Sequence, residues 1–457
     1  MINSINPTDG AQIESYAPHT SDDVDAALSG AVAAQAAWRE VPVEDRVKLL
    51  SSMAKELRSG RDRYAELITK EMGKPISESR GEVEKCAVTC DYYAEMAPAL
   101  LAFEPLPSNA TESGVVFDPL GVVLAIMPWN FPFWQFFRFA APALAAGNGA
   151  ILKHAANVPG CALAIEALMR RAGCPEGLMR SLLISSREVA PIIADDRIAA
   201  VTLTGSTEVG QIVASQAGAA LKKQVLELGG SDPFIVLADA DLEAAAETAV
   251  KSRFINAGQS CVNAKRFIVE EAVADRFAEL FRDGIERLKI GDPMDPETQI
   301  GPMARANLRD ELHDQVQRSV KAGAKLIIGG RPVEGSGYFY SPTLFDKVTQ
   351  EHAAFREEMF GPVASIVRAR DADHAVELAN DSEFGLGATI WTSDVEKARR
   401  MSRTLDAGAV FINGLVASDA RLPFGGIKKS GYGRELGSYG LREFTNIKTI
   451  WIGPAKG

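Results

Sequence analysis

Ala150-Ile151-Leu152-Lys153, Ser181-Leu182-Leu183-Ile184, Ala199-Ala200-Val201-Thr202-Leu203 and Gln224-Val225-Leu226 are four short apolar runs, and helical spacings over 159–172 and 207–217 separate them. Runs this short and this apolar read as strands buried on both faces, and their alternation with helices calls for parallel crossovers. The stretch from Asn148 to Leu237 therefore predicts an α/β fold on a parallel, doubly wound sheet. Downstream, Phe234-Ile235-Val236-Leu237, Arg266-Phe267-Ile268-Val269, Lys325-Leu326-Ile327-Ile328 and Ala364-Ser365-Ile366-Val367 continue the pattern to about Ile412, predicting a second α/β domain. Upstream, Val24-Ala27-Leu28-Ala31 and Leu49-Leu50-Met53-Leu57 repeat at three- and four-residue spacing, so Asp22 to about Ala102 reads as helical. Pro105-Leu106-Pro107-Ser108-Asn109 breaks that segment, and Gly114-Val115-Val116-Phe117 and Val122-Val123-Leu124-Ala125-Ile126 follow as strands around a Pro119-Leu120-Gly121 turn. The tail from Leu441, ending Ile447-Lys448-Thr449-Ile450-Trp451-Ile452, alternates like an edge strand, a surface that another subunit often covers.

A chain of 457 residues, 46% hydrophobic and 24% charged, is long enough for two or three domains. Its net charge of -11 opposes a nucleic-acid or anionic-membrane partner. The most apolar region is interrupted by Pro128, Pro132, Arg138 and Pro142 and does not read as a membrane span. The first residues lack the basic-then-apolar pattern of a secretory leader, and the expected location is cytoplasmic. The cysteines, 86, 90, 161, 174 and 261, are odd in number and scattered, which fits free thiols in a reducing compartment. Neither they nor the five histidines show ligand spacing, so no metal is expected.

Two titratable groups stand out for chemistry: Glu227 in Glu227-Leu228-Gly229-Gly230, and Cys261 closing Gly258-Gln259-Ser260-Cys261. Cys261 admits two readings, an inert packing thiol or a nucleophile served by a separate base. Arg138 and Lys153 lie in a region with no acid between Asp118 and Glu166. Each must reach water, find a distant carboxylate, or await an anionic ligand. Lys153 ends a strand, where open α/β sheets bind nucleotides. Arg138 follows Trp134 by one helical turn and shares its face if Pro132 opens a helix, a face suited to an acyl group and its carboxylate. Thr204-Gly205-Ser206 forms a strand-to-helix turn that favours phosphate, although no GxGxxG fingerprint is present. Asn130, in Pro128-Trp129-Asn130-Phe131-Pro132, reads either as a turn residue bonded to its own backbone or as an oxyanion donor.

In this order, Met127-Pro128-Trp129-Asn130-Phe131-Pro132, Leu203-Thr204-Gly205-Ser206, Glu227-Leu228-Gly229-Gly230, Gly258-Gln259-Ser260-Cys261, Glu358-Met359-Phe360-Gly361-Pro362 and Pro423-Phe424-Gly425-Gly426-Ile427-Lys428-Lys429-Ser430-Gly431 resemble the aldehyde dehydrogenase superfamily across essentially the whole chain. The resemblance implies two doubly wound α/β domains with a small β oligomerisation element: a cofactor-binding domain over 1–103 and 120–227, a catalytic domain over 228–421, and oligomerisation strands at 104–119 and 441–457. It implies Cys261 as nucleophile, Asn130 with the Cys261 backbone N–H as oxyanion holders, and Glu227 as the base that activates water. Cofactor contacts carried over are Trp129, Lys153, Ala156, Gly205, Ser206, Leu228, Glu358 and Phe360. Many NAD-preferring members place a Glu three residues after the lysine; here the sequence is Lys153-His154-Ala155-Ala156, so NADP is expected to be accepted and favoured over NAD.

Within the family the chain is most similar to the shorter succinate-semialdehyde dehydrogenases, which carry Leu-Lys-His-Ala and Ser-Asp-Ala-Arg, here Ser418-Asp419-Ala420-Arg421. This implies that Arg138 and Ser418 bind a distal carboxylate and that Trp134 lines the channel. Other ω-semialdehydes, such as glutarate semialdehyde, and general aliphatic or aromatic aldehydes are the alternatives within enzymes. A CoA-acylating reaction is disfavoured by the presence of Glu227, and a non-catalytic binding role on the same fold by the joint presence of Cys261, Glu227 and Asn130. Family members usually assemble as dimers or tetramers, so a homodimer or homotetramer is expected.

Overall fold

The computed structural model describes residues 1–454. Its first sheet has six strands in the order Gly431–Tyr432, Lys223–Glu227, Ile198–Thr204, Val122–Met127, Gly149–His154 and Met179–Ser181. All neighbours are parallel except the short Gly431–Tyr432 edge. The chain starts at Val122–Met127 in the middle, winds outward through Gly149–His154, then returns to build the other side. Loops leaving the carboxyl ends of Val122–Met127 and Ile198–Thr204 therefore diverge, opening the crevice where α/β sheets bind ligands. Trp129-Asn130 and Gly205-Ser206 lie on those two loops.

A second sheet of seven strands runs Lys325–Ile328, Thr343–Asp346, Val363–Ala369, Ala264–Glu270, Asp232–Val236, Gly387–Trp391 and Ala409–Ile412, antiparallel only at its first pair. The central strands of both sheets are buried along their length, as continuous apolar runs require. A third, antiparallel sheet joins Thr445–Ile452 to Glu112–Pro119 and Glu104–Pro105, in register from Thr445 opposite Pro119 to Ile452 opposite Glu112. Ile447, Trp451 and Ile452 on it are exposed. Residues 455–457 of the expected 441–457 segment lie outside the described residues.

The helical N-terminal segment resolves into Ser21–Trp38, Val43–Ser59, Arg61–Met72 and Ile76–Leu100. The last places Glu78, Glu82 and Lys85 at helical spacings of four and three, on one face. The helix expected from Pro132 begins instead at Trp134 and runs to Ala145. Its start is set by Glu82, whose Oε1 accepts the backbone N–H of Phe133 at 2.8 Å and of Trp134 at 3.0 Å. Glu82 is in turn ion-paired to Lys74, both side chains fully buried.

The strand expected at 181–184 is found at Met179–Ser181. Leu182 still donates to the Leu152 carbonyl, but the Leu183 carbonyl takes the His19 N–H at 2.9 Å, which draws the chain out of the sheet. No helix among the described residues is long and apolar enough to cross a membrane.

Candidate active site

Cys261 is aimed by a strained turn. Asn256 and Ala257 take left-handed conformations at φ 55° and 50°, and Gly258 follows at φ 75°. A side chain at Gly258 would stand 2.2 Å from the Gly361 carbonyl oxygen, so only glycine fits. The two non-glycine residues are held in place by surrounding bonds, as such strain demands. Asn256 N–H donates to Glu78 Oε2 at 2.7 Å, and its Nδ2 donates to the Asn130 and Gln259 carbonyls. The buried Lys265 ammonium donates to the carbonyls of Ser260, Cys261 and Asn263 at 3.0, 2.9 and 3.2 Å.

Asn130 belongs to the same frame. Its Nδ2 donates one hydrogen to the Gln259 carbonyl at 3.1 Å, which leaves a second amide hydrogen beside the nucleophile turn. His154 ties this loop to the sheet: Nε2 meets the Pro132 carbonyl at 2.8 Å while Nδ1 accepts from Ala155 N–H. Burial lowers the His154 pKa to about 4, so the ring is neutral.

Glu227 ends its strand under the Pro423–Gly431 segment. Leu228 N–H donates to the Ser430 carbonyl, and Ser430 Oγ donates to the Gly229 carbonyl at 2.6 Å. Both Glu227 oxygens are buried with no hydrogen-bond partner among the described residues. Glycines make the approach possible: a side chain at Gly230 would meet the Cys261 carbonyl at 2.7 Å, and one at Gly425 would meet Glu227 Oε1 at 2.8 Å. Burial, reinforced by the nearby Glu435, raises the Glu227 carboxyl well above the usual range, and Arg138 opposes the shift. Burial likewise pushes the Cys261 thiol up to about 12, against the pull of Arg138 and Lys265. The free protein therefore holds an un-ionised thiol near a carboxyl with a raised affinity for protons.

Of the three fates open to Arg138 in the sequence, the structure shows the distant carboxylate. The arginine is 2% exposed and ion-paired to Glu435, itself 3% exposed, with Nη2 also donating to Thr204 Oγ1 at 3.2 Å. A distant carboxylate has matched its charge, the cheaper of the alternatives for a buried guanidinium. Its guanidinium lies over the Phe424 ring at 4.8 Å, at the wall of a cavity of about 310 Å³ that opens onto Cys261. Phe131, Trp134 and Ser418 line the same cavity, so the structure brings Trp134, Arg138 and Ser418 together beside the thiol. It also brings in a cation that sequence reasoning passed over, Lys85, whose Nζ donates to Ser418 Oγ at 2.7 Å and sits 4.3 Å from the Trp134 ring centroid.

Trp129 meets Phe360 edge to face at 5.8 Å. Glu358 Oε1 accepts the Gly230 N–H at 3.0 Å and lies 3.6 Å from Lys265 Nζ. Arg253, fully buried, fixes the Glu358–Pro362 loop by donating to the carbonyls of Met359 and Val363 at 2.6 Å. Lys153, buried at its strand end, has no carboxylate within ion-pair distance among the described residues, and desolvation lowers its pKa. Ser206 caps the helix Thr207–Ala219, its side chain accepting the Val209 N–H. Ala156 is exposed and neutral. A buried lysine with no counter-ion among the described residues and a capped helix start are donors that would suit a phosphate, and Ala156 places no carboxylate beside them.

Glu435, Lys85, Lys265, Glu78 and Glu82 escaped the sequence reading. Lys265 acts on the carbonyls of the nucleophile turn just before it, the others act through partners far away in the chain, and none lies in a motif of its own.

The profile of the aldehyde dehydrogenase family matches residues 1–450, and the chain belongs to that family. Within it, the chain is 53% identical to the succinate semialdehyde dehydrogenase (NAD(P)+) Sad of Escherichia coli K12, over 98% of this chain and 97% of the relative. It is 48% identical to a probable succinate-semialdehyde dehydrogenase (NADP+) of Synechocystis sp., over 99% of each. A crystal structure of succinic semialdehyde dehydrogenase from Streptococcus pyogenes in complex with NADP+ superposes with a TM-score of 0.97 at 39% identity, covering 99% of this chain and 100% of that one.

Proposed function

We propose that this enzyme oxidises succinic semialdehyde to succinate with NADP+, and less efficiently with NAD+. The observation that carries the reading is the cavity onto Cys261: an apolar wall of Phe131, Trp134 and Phe424 that ends in cationic and hydroxyl groups suits an aldehyde with a carboxylate at its far end. Full-length likeness to succinate-semialdehyde dehydrogenases supports the same substrate.

In this reading Cys261 loses its thiol proton to solvent as Sγ adds to the carbonyl carbon, and the Asn130 amide with the Cys261 backbone N–H holds the oxygen as it gains charge. A bound nicotinamide cofactor would supply the hydride acceptor, and loss of that hydride together with the hydroxyl proton would leave the cysteine-bound carbon as a thioester. Glu227, free of competing hydrogen bonds and with a raised proton affinity, takes the proton of the water that attacks the thioester. Hydrolysis releases the carboxylate and returns the thiol. Lys153, Ala156, Gly205 and Ser206 would hold the phosphate and ribose end of the cofactor, and Trp129, Leu228, Glu358 and Phe360 its nicotinamide end.

A homodimer or homotetramer is supported by the exposed Ile447, Trp451 and Ile452 on the Thr445–Ile452 edge. Five free cysteines support a reducing, cytoplasmic setting. A panel of aldehydes assayed with each cofactor, without CoA, tests the reading. Highest kcat/KM for succinic semialdehyde with NADP+ and release of free acid are expected; equal kcat/KM for uncharged aldehydes of the same length would overturn it.

A further inference from the structure

The cavity onto Cys261 holds one cation that no carboxylate neutralises by direct contact. Three cationic side chains, Arg138, Lys85 and Lys251, and two carboxylates, Glu78 and Glu82, line it. Arg138 is matched by Glu435. Lys251, on the helix Leu242–Phe254, is exposed at the outer rim, where water screens it. Lys85 is different. It is half-buried on the helix Ile76–Leu100, lies against the Trp134 ring and touches only the neutral Ser418 hydroxyl, with no carboxylate within ion-pair distance among the described residues.

The acids near it are already engaged, Glu78 by the Asn256 backbone N–H at 2.7 Å. Asp419 is chelated by Arg421, with Nε at 2.8 Å and Nη2 at 2.5 Å. Glu82, one turn earlier, serves Lys74 and two backbone amides. Burial and then Arg138 push the Lys85 pKa down to about 8, the mark of an ammonium that lacks an anion. Ser418, which resemblance pairs with Arg138, is instead hydrogen-bonded to Lys85.

We propose that Lys85, held by Ser418 and Trp134, is the residue that selects an aldehyde with a distal carboxylate, while Arg138 acts mainly through Glu435 and Glu227. The inference rests on the substrate reading above and assigns its charge recognition to a residue outside the motifs. An ammonium facing a carboxylate in a partly dry cavity forms a charge-assisted hydrogen bond that an uncharged aldehyde cannot make.

The test compares succinic semialdehyde with butanal, its uncharged analogue, in the wild-type enzyme and in Lys85→Met, Lys85→Gln, Lys85→Arg and Lys251→Met. A charged hydrogen bond of this kind corresponds to roughly a 10- to 150-fold loss in kcat/KM for succinic semialdehyde in Lys85→Met and Lys85→Gln, mostly in KM, with butanal turnover kept. Butanal turnover also reports that each variant is folded, and Lys85→Arg restores most of the loss. An equal fall for both substrates, or a larger loss in Lys251→Met, overturns the proposal. A strong wild-type preference that persists in both neutral Lys85 variants rejects Lys85 alone, whereas a wild-type enzyme with no preference rejects the substrate reading and the proposal with it.

Discussion

Replacing Arg138 with Met isolates what its pairing with Glu435 does. The two side chains are 2% and 3% exposed, and among the described residues no group other than Arg138 shares the Glu435 charge. Removing the guanidinium leaves a buried carboxylate beside a second one, Glu227, a change that costs about 3–5 kcal/mol in comparable buried pairs. With an unfolding entropy of about 2 cal/mol/K per residue over this chain length, the midpoint should fall by roughly 3–5 °C. Burial raises the Glu435 pKa, and loss of Arg138 raises it further. Such a group binds its proton more tightly when folded, so stability falls as pH rises above its unfolded value; the deficit of Arg138→Met is therefore larger at alkaline than at mildly acidic pH. Arg138→Met with Glu435→Leu removes both charges and should recover to within about 1 °C of wild type, because apolar groups replace a buried pair at little cost. The assay is thermal unfolding of wild type, both single variants and the double variant at one scan rate and protein concentration. An Arg138→Met protein as stable as wild type at alkaline pH, or additive effects of the two substitutions, would refute the reasoning.

Because burial raises the Glu227 pKa, the acidic limb of kcat should lie on the alkaline side of an ordinary carboxylate, while the first-turnover burst of reduced cofactor persists below it. Glu435→Gln removes the like charge and frees Arg138 to act on Glu227, moving the limb to lower pH in a kcat–pH profile; an unmoved limb contradicts the coupling. Ala156→Glu places a carboxylate at an exposed neutral position three residues after Lys153. Like-charge repulsion across this partly hydrated distance predicts a drop of about 10- to 100-fold in the NADP+ to NAD+ ratio of kcat/KM, and an unchanged ratio contradicts the assignment of the 2′-phosphate to this turn.

The doubly wound sheets were legible because fully buried strands leave continuous apolar runs, as in Ala150–Lys153 and Phe234–Leu237, and helices between them keep their spacing. Cys261, Glu227 and Lys153 were legible because each sits at a strand end or in a glycine turn whose local geometry is written locally. The Gly431–Tyr432 strand was not: two residues pair with Leu226 and Glu227 only because the rest of the fold delivers them there. Arg138 shows the same limit from the other side. Its lack of a nearby acid in sequence left water, a distant carboxylate and an anionic ligand all open, and only the fold, which brings Glu435 to it across most of the chain, decides between them. Lys85 was hidden for a different reason, since it lies on an amphipathic helix where a lysine ordinarily faces water.

The central claim is that Cys261 carries the substrate carbon and Glu227 releases it. Glu227→Gln enzyme mixed with succinic semialdehyde and NADP+, quenched and analysed by intact and peptide mass spectrometry, tests this most directly. The account predicts one succinyl group per chain on the Cys261 peptide, formed with a single burst of NADPH and absent in Cys261→Ala. An unmodified Cys261 during the burst, or a succinyl group on another residue, would contradict it.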